Sequence, residues 1–260
     1  MEVLPLASTI TDNFFYLIVE GEEGWLVDPI DAPVAIEAVR ARGLREVRVL
    51  ITHGHPDHVG GNDEVVAALG AEVWAPARAA RFPVRHDRGL VPGDVLSLGD
   101  RRWEVIAAPG HTDDHLVYRH EDWVISGDVL FCAGIGHARF GGDMDALYRT
   151  IQDVVGTWPG STRFLPGHDY AARNAAFALA VEPDNAAARA LLDATEGRSR
   201  AAGPWLTTLE DERTYNPFLR VHLPQVQQAM ATRVSEAGVA QGQGVARGTF
   251  VALRRWRDQW

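Results

Sequence analysis

The chain of 260 residues contains no lysine; all 25 of its basic residues are arginine. No lysine is therefore available as a nucleophile or a phosphate anchor. Cysteine is reduced to a single residue, Cys132, which excludes an intramolecular disulfide and a cysteine-rich zinc site. Following an apolar strand, Cys132 reads as a core thiol rather than a nucleophile. No apolar stretch approaches the ~20 residues that a membrane helix needs. The start Met1-Glu2-Val3-Leu4-Pro5 lacks the basic segment and apolar core of a signal peptide. Positive charge is also in deficit, with 35 acidic residues against 25 basic ones and a net charge of −10. That sign disfavours nucleic acid, whose binding needs a dense cationic footprint, although a few arginines can still build a local positive pocket. The expectation is a cytoplasmic protein with neither membrane nor nucleic acid as partner, present as a monomer or small homo-oligomer.

Apolar residues make up 46% of the chain and charged ones 23%, an ordinary globular balance. The first half alternates short strands with helices. Phe14 to Glu20 and Trp25 to Asp28 flank Gly21-Glu22-Glu23-Gly24, a hairpin signal. Asp31 to Arg42 has helical spacing ended by Gly43, and Val47 to Ile51 is an apolar strand. A helix over Asp63 to Leu69 and strands at Glu72 to Trp74, Trp103 to Ala107, Leu116 to Tyr118 and Trp123 to Ser126 follow. After about Asp169 the chain turns helical, over Tyr170 to Val181, Asn185 to Ala194, Pro224 to Ala237 and Arg247 to Trp260. Asn216-Pro217 reads as a helix start with proline in its first turn. The pattern divides into an α/β part, residues 1–172, and a mostly helical part, residues 173–260, with sheets covered by helices.

Five of the ten histidines and two aspartates fall into four clusters, each just after an apolar run. They are His53-x-His55-x-Asp57-His58, His111 in Pro109-Gly110-His111, Asp128 in Ser126-Gly127-Asp128, and His168 in Pro166-Gly167-His168. Loops at the ends of sheet strands are where ligands converge. The glycine beside each cluster (Gly54, Gly110, Gly127, Gly167) is expected to let the backbone turn tightly. Imidazole and carboxylate donors suit zinc, iron or manganese, and the absence of thiolates argues against a structural zinc. Seven donors are too many for one tetrahedral ion. They divide as three histidines on one divalent metal, two histidines and an aspartate on a second, and a bridging carboxylate. Two ions ~3.5–4 Å apart can hold a hydroxide between them and present it to an electrophilic carbon. His115 reads as a partner of a ligand or as a satisfied structural histidine, and His86, His120 and His222 as surface residues.

These motifs carry a resemblance. Thr52-His53-Gly54-His55-Pro56-Asp57-His58, with Ala108 to Thr112, Ser126 to Phe131 and Pro166 to Tyr170, resembles the metallo-β-lactamase superfamily. The fold so implied is an αββα sandwich with the metals at one edge of the sheets, here with a C-terminal helical extension. By resemblance His53, His55 and His111 hold the first metal, Asp57, His58 and His168 the second, and Asp128 bridges. Val181 to Asn185, Thr208 to Glu212, Tyr215 to Val221 and Leu253 to Asp258 resemble glyoxalase II, the hydroxyacylglutathione hydrolases.

That resemblance implies a thioester substrate, S-D-lactoylglutathione, split to D-lactate and glutathione by a metal-bridging hydroxide, with Asp57 and Asp128 as catalytic carboxylates. It also implies that Tyr170, Arg254 and Arg257 grip the glutathione moiety. Arg254 and Arg257, three apart on a helix, share a face on which two guanidinium groups can meet a carboxylate. The run His137-Ala138-Arg139-Phe140-Gly141-Gly142 departs from the family: His137 takes a basic position and Arg139 stands where an aromatic ring is usual. Other readings that remain open are a mononuclear-iron persulfide dioxygenase, a lactonase or acyl hydrolase with another carrier, and a silent thiol-conjugate-binding module.

Overall fold

The computed structural model describes residues 1–78, 81–236 and 244–260. Two sheets form its centre. The first contains β1 (Glu2–Ala7), β2 (Phe14–Glu20), β3 (Glu23–Val27), β4 (Glu46–Leu50), β5 (Glu72–Pro76) and β6 (Arg88–Leu90), in that spatial order. The second contains β7 (Val95–Leu98), β8 (Arg101–Ala107), β9 (Leu116–His120), β10 (Trp123–Gly127) and β13 (Arg163–Pro166), in the order β13-β10-β9-β8-β7. A two-stranded ribbon, β11 (Leu130–Phe131) and β12 (Gly134–Ile135), follows β10.

Strand β2 shows why the sheets stack. Side chains alternate across a strand, and both of its faces are apolar. Tyr16 and Ile18 join Trp25, Leu50 and Trp74 against Trp103, Tyr118 and Leu165 of the second sheet. Phe15, Leu17 and Val19 face the opposite way, onto α1 (Ala32–Arg42), α2 (Pro56–Val59) and α3 (Asn62–Leu69). The outer face of the second sheet is covered by α4 (Met144–Arg149), α5 (Ala171–Val181), α7 (Leu209–Tyr215), α8 (Pro224–Glu236) and α9 (Val245–Arg257), through Leu147, Phe177, Leu209, Met230 and Phe250. Helix α6 (Ala186–Thr195) packs on α5. The four layers are the αββα sandwich expected, with the helical extension on the second sheet.

Helix ends follow local chemistry. Asp31 caps α1 by accepting from the Val34 N–H, and Gly43 ends it in the left-handed region, φ 61°. Thr208 and Asp211 form a reciprocal capping box on α7. The expectation of a helix starting at Asn216-Pro217 is corrected. Asn216 ends α7, its N–H bonding the Glu212 carbonyl at 2.8 Å, and a turn follows. The residue before a proline is pushed out of helical geometry, so this pair stops a helix instead of starting one. The last residue of the expected helix Pro224 to Ala237 lies outside the described residues.

The sheets are tied reciprocally at one edge. Tyr16, from the first sheet, donates to the Pro166 carbonyl of the second at 2.7 Å. Tyr118, from the second, donates to the Ile51 carbonyl at 2.5 Å. Burial raises both phenols well above their usual range, so they act as neutral donors. Between the sheets Trp25 is fully buried, its ring 5.7 Å from Trp103 and 6.4 Å from Trp74. Trp25→Ala should therefore cost about 3–5 kcal/mol of unfolding free energy, read from urea denaturation; a loss below about 1 kcal/mol would contradict this packing.

Candidate metal centre

All four clusters emerge at strand ends along the edge that the tyrosines tie. The His53 run follows β4, His111 follows β8, Asp128 follows β10, and His168 follows β13. Backbone bonds fix their mutual positions. Leu116 N–H reaches the Thr52 carbonyl at 2.9 Å, Gly167 N–H the Gly127 carbonyl at 3.0 Å, and Phe14 N–H the Gly167 carbonyl at 2.8 Å.

The side chains converge in two groups. His53 Nε2 and His111 Nε2 lie 3.1 and 2.9 Å from His55 Nδ1. His58, His168 and Asp57 form the second group, with Asp57 Oδ2 3.4 Å from His168 Nε2 and 3.9 Å from His58 Nε2. Asp128 spans both. Its Oδ2 is 3.5 Å from Nε2 of His111 and of His168, and its Oδ1 is 3.3 Å from His58 Nε2. The triad His53, His55, His111 and the triad Asp57, His58, His168 each have the closeness of donors that could hold an ion.

The outward nitrogens support that reading, because an imidazole presents a lone pair inward when its other nitrogen donates outward. Every one of these five histidines has an outward acceptor. His53 Nδ1 meets Thr52 Oγ1 at 3.0 Å and His55 Nε2 the Phe140 carbonyl at 3.0 Å. His58 Nδ1 meets Asp28 Oδ2 at 3.0 Å, His111 Nδ1 the His137 carbonyl at 2.7 Å, and His168 Nδ1 Asp12 Oδ1 at 3.2 Å. The Thr52 hydroxyl donates to Asp28 Oδ2 at 2.7 Å, which leaves its oxygen free to accept from His53. The donor set thus fits a divalent metal site.

Electrostatics separate the two groups. Burial, reinforced by the neighbouring imidazoles, holds His53 well below the usual histidine range, and burial brings His111 down to about 4. Burial opposes charge on His168 as well, but Asp128, Asp12 and Asp57 outweigh it and push the group up to about 9. His58 is likewise raised against its burial, by Asp128 and Asp28. Burial alone would raise Asp128, yet His168, His58 and His111 hold its carboxyl well below the usual range. Without a cation, protons on His58 and His168 balance the carboxylates.

Two glycine roles differ from the expectation. Gly110 (φ 133°) and Gly127 (φ 48°) do supply left-handed backbone. Gly54 and Gly167 supply room instead. A Cβ at 54 would stand 2.0 Å from the Phe82 carbonyl oxygen, and one at 167 would stand 2.6 Å from Asp128 Oδ1 and from His58 Cε1. His115 stacks on His53 at 4.7 Å, and its Nε2 accepts from the Asp128 N–H at 3.2 Å, so it holds the carboxylate's backbone. His86 and His222 are exposed and Cys132 is buried, as expected, whereas His120 is buried. Its Nδ1 donates to the Arg102 carbonyl at 3.0 Å and its ring packs on Trp103, because β9 turns that face inward.

The site also contains residues that sequence reasoning passed over. Asp28 orients both Thr52 and His58, and Asp12 orients His168 and accepts from the Tyr170 hydroxyl at 3.2 Å. Asn13 Nδ2 lies 3.2 Å from Asp57 Oδ2. Five of the seven donors, His55, Asp57, His111, Asp128 and His168, sit on the floor of a cavity of about 640 Å³, whose walls include Phe82, His137, Arg139, Tyr170, Arg254 and Arg257. Tyr170 stacks on His168 at 5.1 Å. Arg254 is 6% exposed and pairs with Asp258, and Arg257 donates to Asn174 Oδ1.

A four-layer sandwich with this donor set at its edge defines the metallo-β-lactamase superfamily, and the superfamily's profile matches residues 10–184. A second profile, the hydroxyacylglutathione hydrolase C-terminus, matches residues 169–260. A protein named hydroxyacylglutathione hydrolase from Anaeromyxobacter dehalogenans is 43% identical over 251 residues, covering 95% of this chain and 96% of its own. One of the same name from Polaromonas sp. is 39% identical over 254 residues, covering 95% of each. The chain belongs to the hydroxyacylglutathione hydrolase family. Among solved structures, ETHE1 from Myxococcus xanthus superposes with a TM-score of 0.68 at 23% identity over 98% of both chains, a likeness of fold.

The charge on His168 and His58 generates a prediction for metal-stripped protein. A histidine raised in the folded state stabilises the fold fully below its unfolded pKa of about 6.5. That contribution is lost as pH climbs through the folded value, about 9 for His168. A metal must displace the same protons. Zinc affinity of the stripped protein should rise steeply between about pH 6 and 9, with protons released on binding; pH-independent affinity by titration calorimetry would contradict this charge arrangement.

Proposed function

We propose that the protein hydrolyses glutathione thioesters, with S-D-lactoylglutathione as substrate and D-lactate and glutathione as products. The observation carrying this reading is the position of the donor-lined floor of the cavity. It lies beneath a wall of arginines on α5 and α9, in the segment that matches the hydroxyacylglutathione hydrolase C-terminus. In this reading residues 1–172 form the catalytic part and 173–260 the substrate-binding part. A cytoplasmic location belongs to the same reading.

We assign His53, His55 and His111 to one divalent ion, Asp57, His58 and His168 to a second, and Asp128 to both; zinc, iron and manganese all suit such donors. Metal ions so held lower the pKa of water and polarise a carbonyl. The chain's own part is to orient and exclude. Burial alone would raise Asp57, but hydrogen bonding from His168 and the charge of His58 hold it well below the usual range. It is therefore an anion facing the cavity, able to accept a hydrogen bond from the attacking water. Tyr170, His137, Arg139, Arg254 and Arg257 form the carrier side, and the aromatic rings of Phe82 and Phe140 border the cavity beside His55. Hydrolysis forms a C–O bond and breaks C–S. The departing thiolate is stable enough that no strong general acid is required.

Two measurements test the reading. Across a panel of glutathione and non-glutathione thioesters, with metal analysis on the same sample, glutathione thioesters should be hydrolysed with the highest kcat/KM. Oxygen uptake on glutathione persulfide with one iron per chain would replace the reading with a dioxygenase. Asp128→Ala should lose most bound metal and at least about a thousandfold in kcat while remaining folded, since it removes a carboxylate common to both groups; an unchanged metal content would sink the ligand assignment.

A further inference from the structure

The turn between β1 and β2 carries two groups that act on the second set of donors. Asp12, the outward acceptor of His168, has a side chain that is 67% exposed. Asn13 is buried, and its Nδ2 stands 3.2 Å from Asp57 Oδ2, 3.2 Å from His168 Nε2 and 3.5 Å from His58 Nε2. Every donor of the second group therefore lies within 3.5 Å of this turn. Among the described residues no hydrogen bond joins residues 11–13 to His53, His55 or His111, whose outward partners are Thr52, Phe140 and His137. The ends of the turn are tied, Thr9 to Asp31 at 2.7 Å and the Phe14 N–H to the Gly167 carbonyl at 2.8 Å. Its middle, where Asp12 stands, needs another anchor.

A side chain of the helical extension supplies it. Arg200 stands in a short 3-10 turn, Arg200–Ala202, after α6. Its Nη1 donates to the Thr11 carbonyl at 3.1 Å and its Nη2 to the Asn13 carbonyl at 2.7 Å. One planar guanidinium fork thus brackets Asp12 through the carbonyls on either side of it. The same guanidinium lies over the Phe14 ring, 5.1 Å from its centre. The loop presenting Arg200 is itself held. Arg198 donates to the Gly203 carbonyl at 2.8 Å, and the Trp205 N–H reaches Oδ2 of Asp169, the neighbour of His168, at 3.0 Å. Arg200 lines a separate recess with Phe14 and Trp205, of about 350 Å³, and not the cavity over the donors. Its route to the metal centre therefore runs through the turn.

We infer that Arg200 is a positioning residue for the second metal ion alone, the one assigned to Asp57, His58 and His168. It fixes the carboxylate that orients His168 and the amide that donates to Asp57, and it leaves the first group untouched. The inference rests on the two-ion assignment above. A group that orients a metal-binding imidazole must be held in its turn. Asp12 meets only His168 and Tyr170 through its side chain, so its place is set by its backbone, and the guanidinium fork holds that backbone. Half of the metal centre thereby depends on a loop of the helical extension about 30 residues beyond the last ligand.

The test titrates metal-stripped full-length protein with zinc at one pH, with metal analysis on the same samples. Wild type should take two ions per chain. Arg200→Ala should weaken the second ion about tenfold or more and change the first by less than about threefold. Asp12→Ala should weaken the same ion by a similar factor, because it removes the group that the fork holds. In Asp57→Ala protein, which lacks a donor of the second group only, adding Arg200→Ala should shift the affinity of the remaining ion by less than about threefold. Should the alanine variant fold poorly, Arg200→Lys keeps the charge without the planar fork and is read in the same way. A wild-type chain that takes a single ion would overturn the two-ion assignment and this inference together. Two ions in wild type with the second unchanged in a folded Arg200 variant would overturn the inference alone. Equal weakening of both ions, or a further loss in the Asp57→Ala background, would do the same.

Discussion

Two imidazole nitrogens, His53 Nε2 and His111 Nε2, each about 3 Å from a third, His55 Nδ1, are an arrangement that apolar packing would never select. Lone pairs brought face to face repel, and burying them without a partner costs further. The arrangement persists because each ring is held from behind, by Thr52, Phe140 and His137 respectively. The same applies to His58 and His168, held by Asp28 and Asp12. The cluster is prepared for a cation, and it is prepared by bonds that face away from it.

Rigidity of that kind has to come from the sandwich. Tyr16 and Tyr118 cross between the sheets in opposite directions and bind the carbonyls just before the His168 and His53 loops. A shift of one sheet over the other would break both bonds and leave buried carbonyls unpaired, at about 1–3 kcal/mol each. The inter-sheet aromatic core around Trp25 resists the same displacement by packing. Sheet stacking and donor geometry are one constraint, because the ligand loops are continuations of the strands whose faces make the core.

How much of this the sequence disclosed depended on whether the signal was local. The run from His53 to His58 combines ligand types and spacing after an apolar strand, so its chemistry could be read in place. Strand β2 was legible for the same reason, whereas β1, which carries Pro5 at the edge of the sheet, lacks a clear alternation signal. Asp12 acts on His168, 156 residues away, and no spacing rule announces such a pair. Asp28 did leave a trace, since Trp25-Leu26-Val27-Asp28 repeats the pattern of an apolar run ending in an acid that marks Asp128. At Gly54 and Gly167 the glycine was visible but its reason was not. The need there is for space beside Phe82 and His58, which only the folded chain reveals.

The helical extension is more than a cover for the second sheet. Glu212, on α7, is fully buried, and burial pushes its carboxyl up to about 8. Its two oxygens receive the Ala133 N–H at 3.0 and 3.1 Å, and Asn216 Nδ2 reaches it at 2.6 Å. Ala133 has a φ of 55°, a conformation that L-residues other than glycine, asparagine and aspartate seldom adopt and that needs outside support. Asn174 from α5 grips the Cys132 carbonyl, and Arg254 from α9 the Ile135 carbonyl. Three helices of the extension therefore converge on five consecutive residues, 132–136, whose far end abuts Asp128 and His111. Guanidinium groups this close to the donors would be drawn onto the carboxylates among them, and a braced turn between the arginine wall and the donors keeps the two apart.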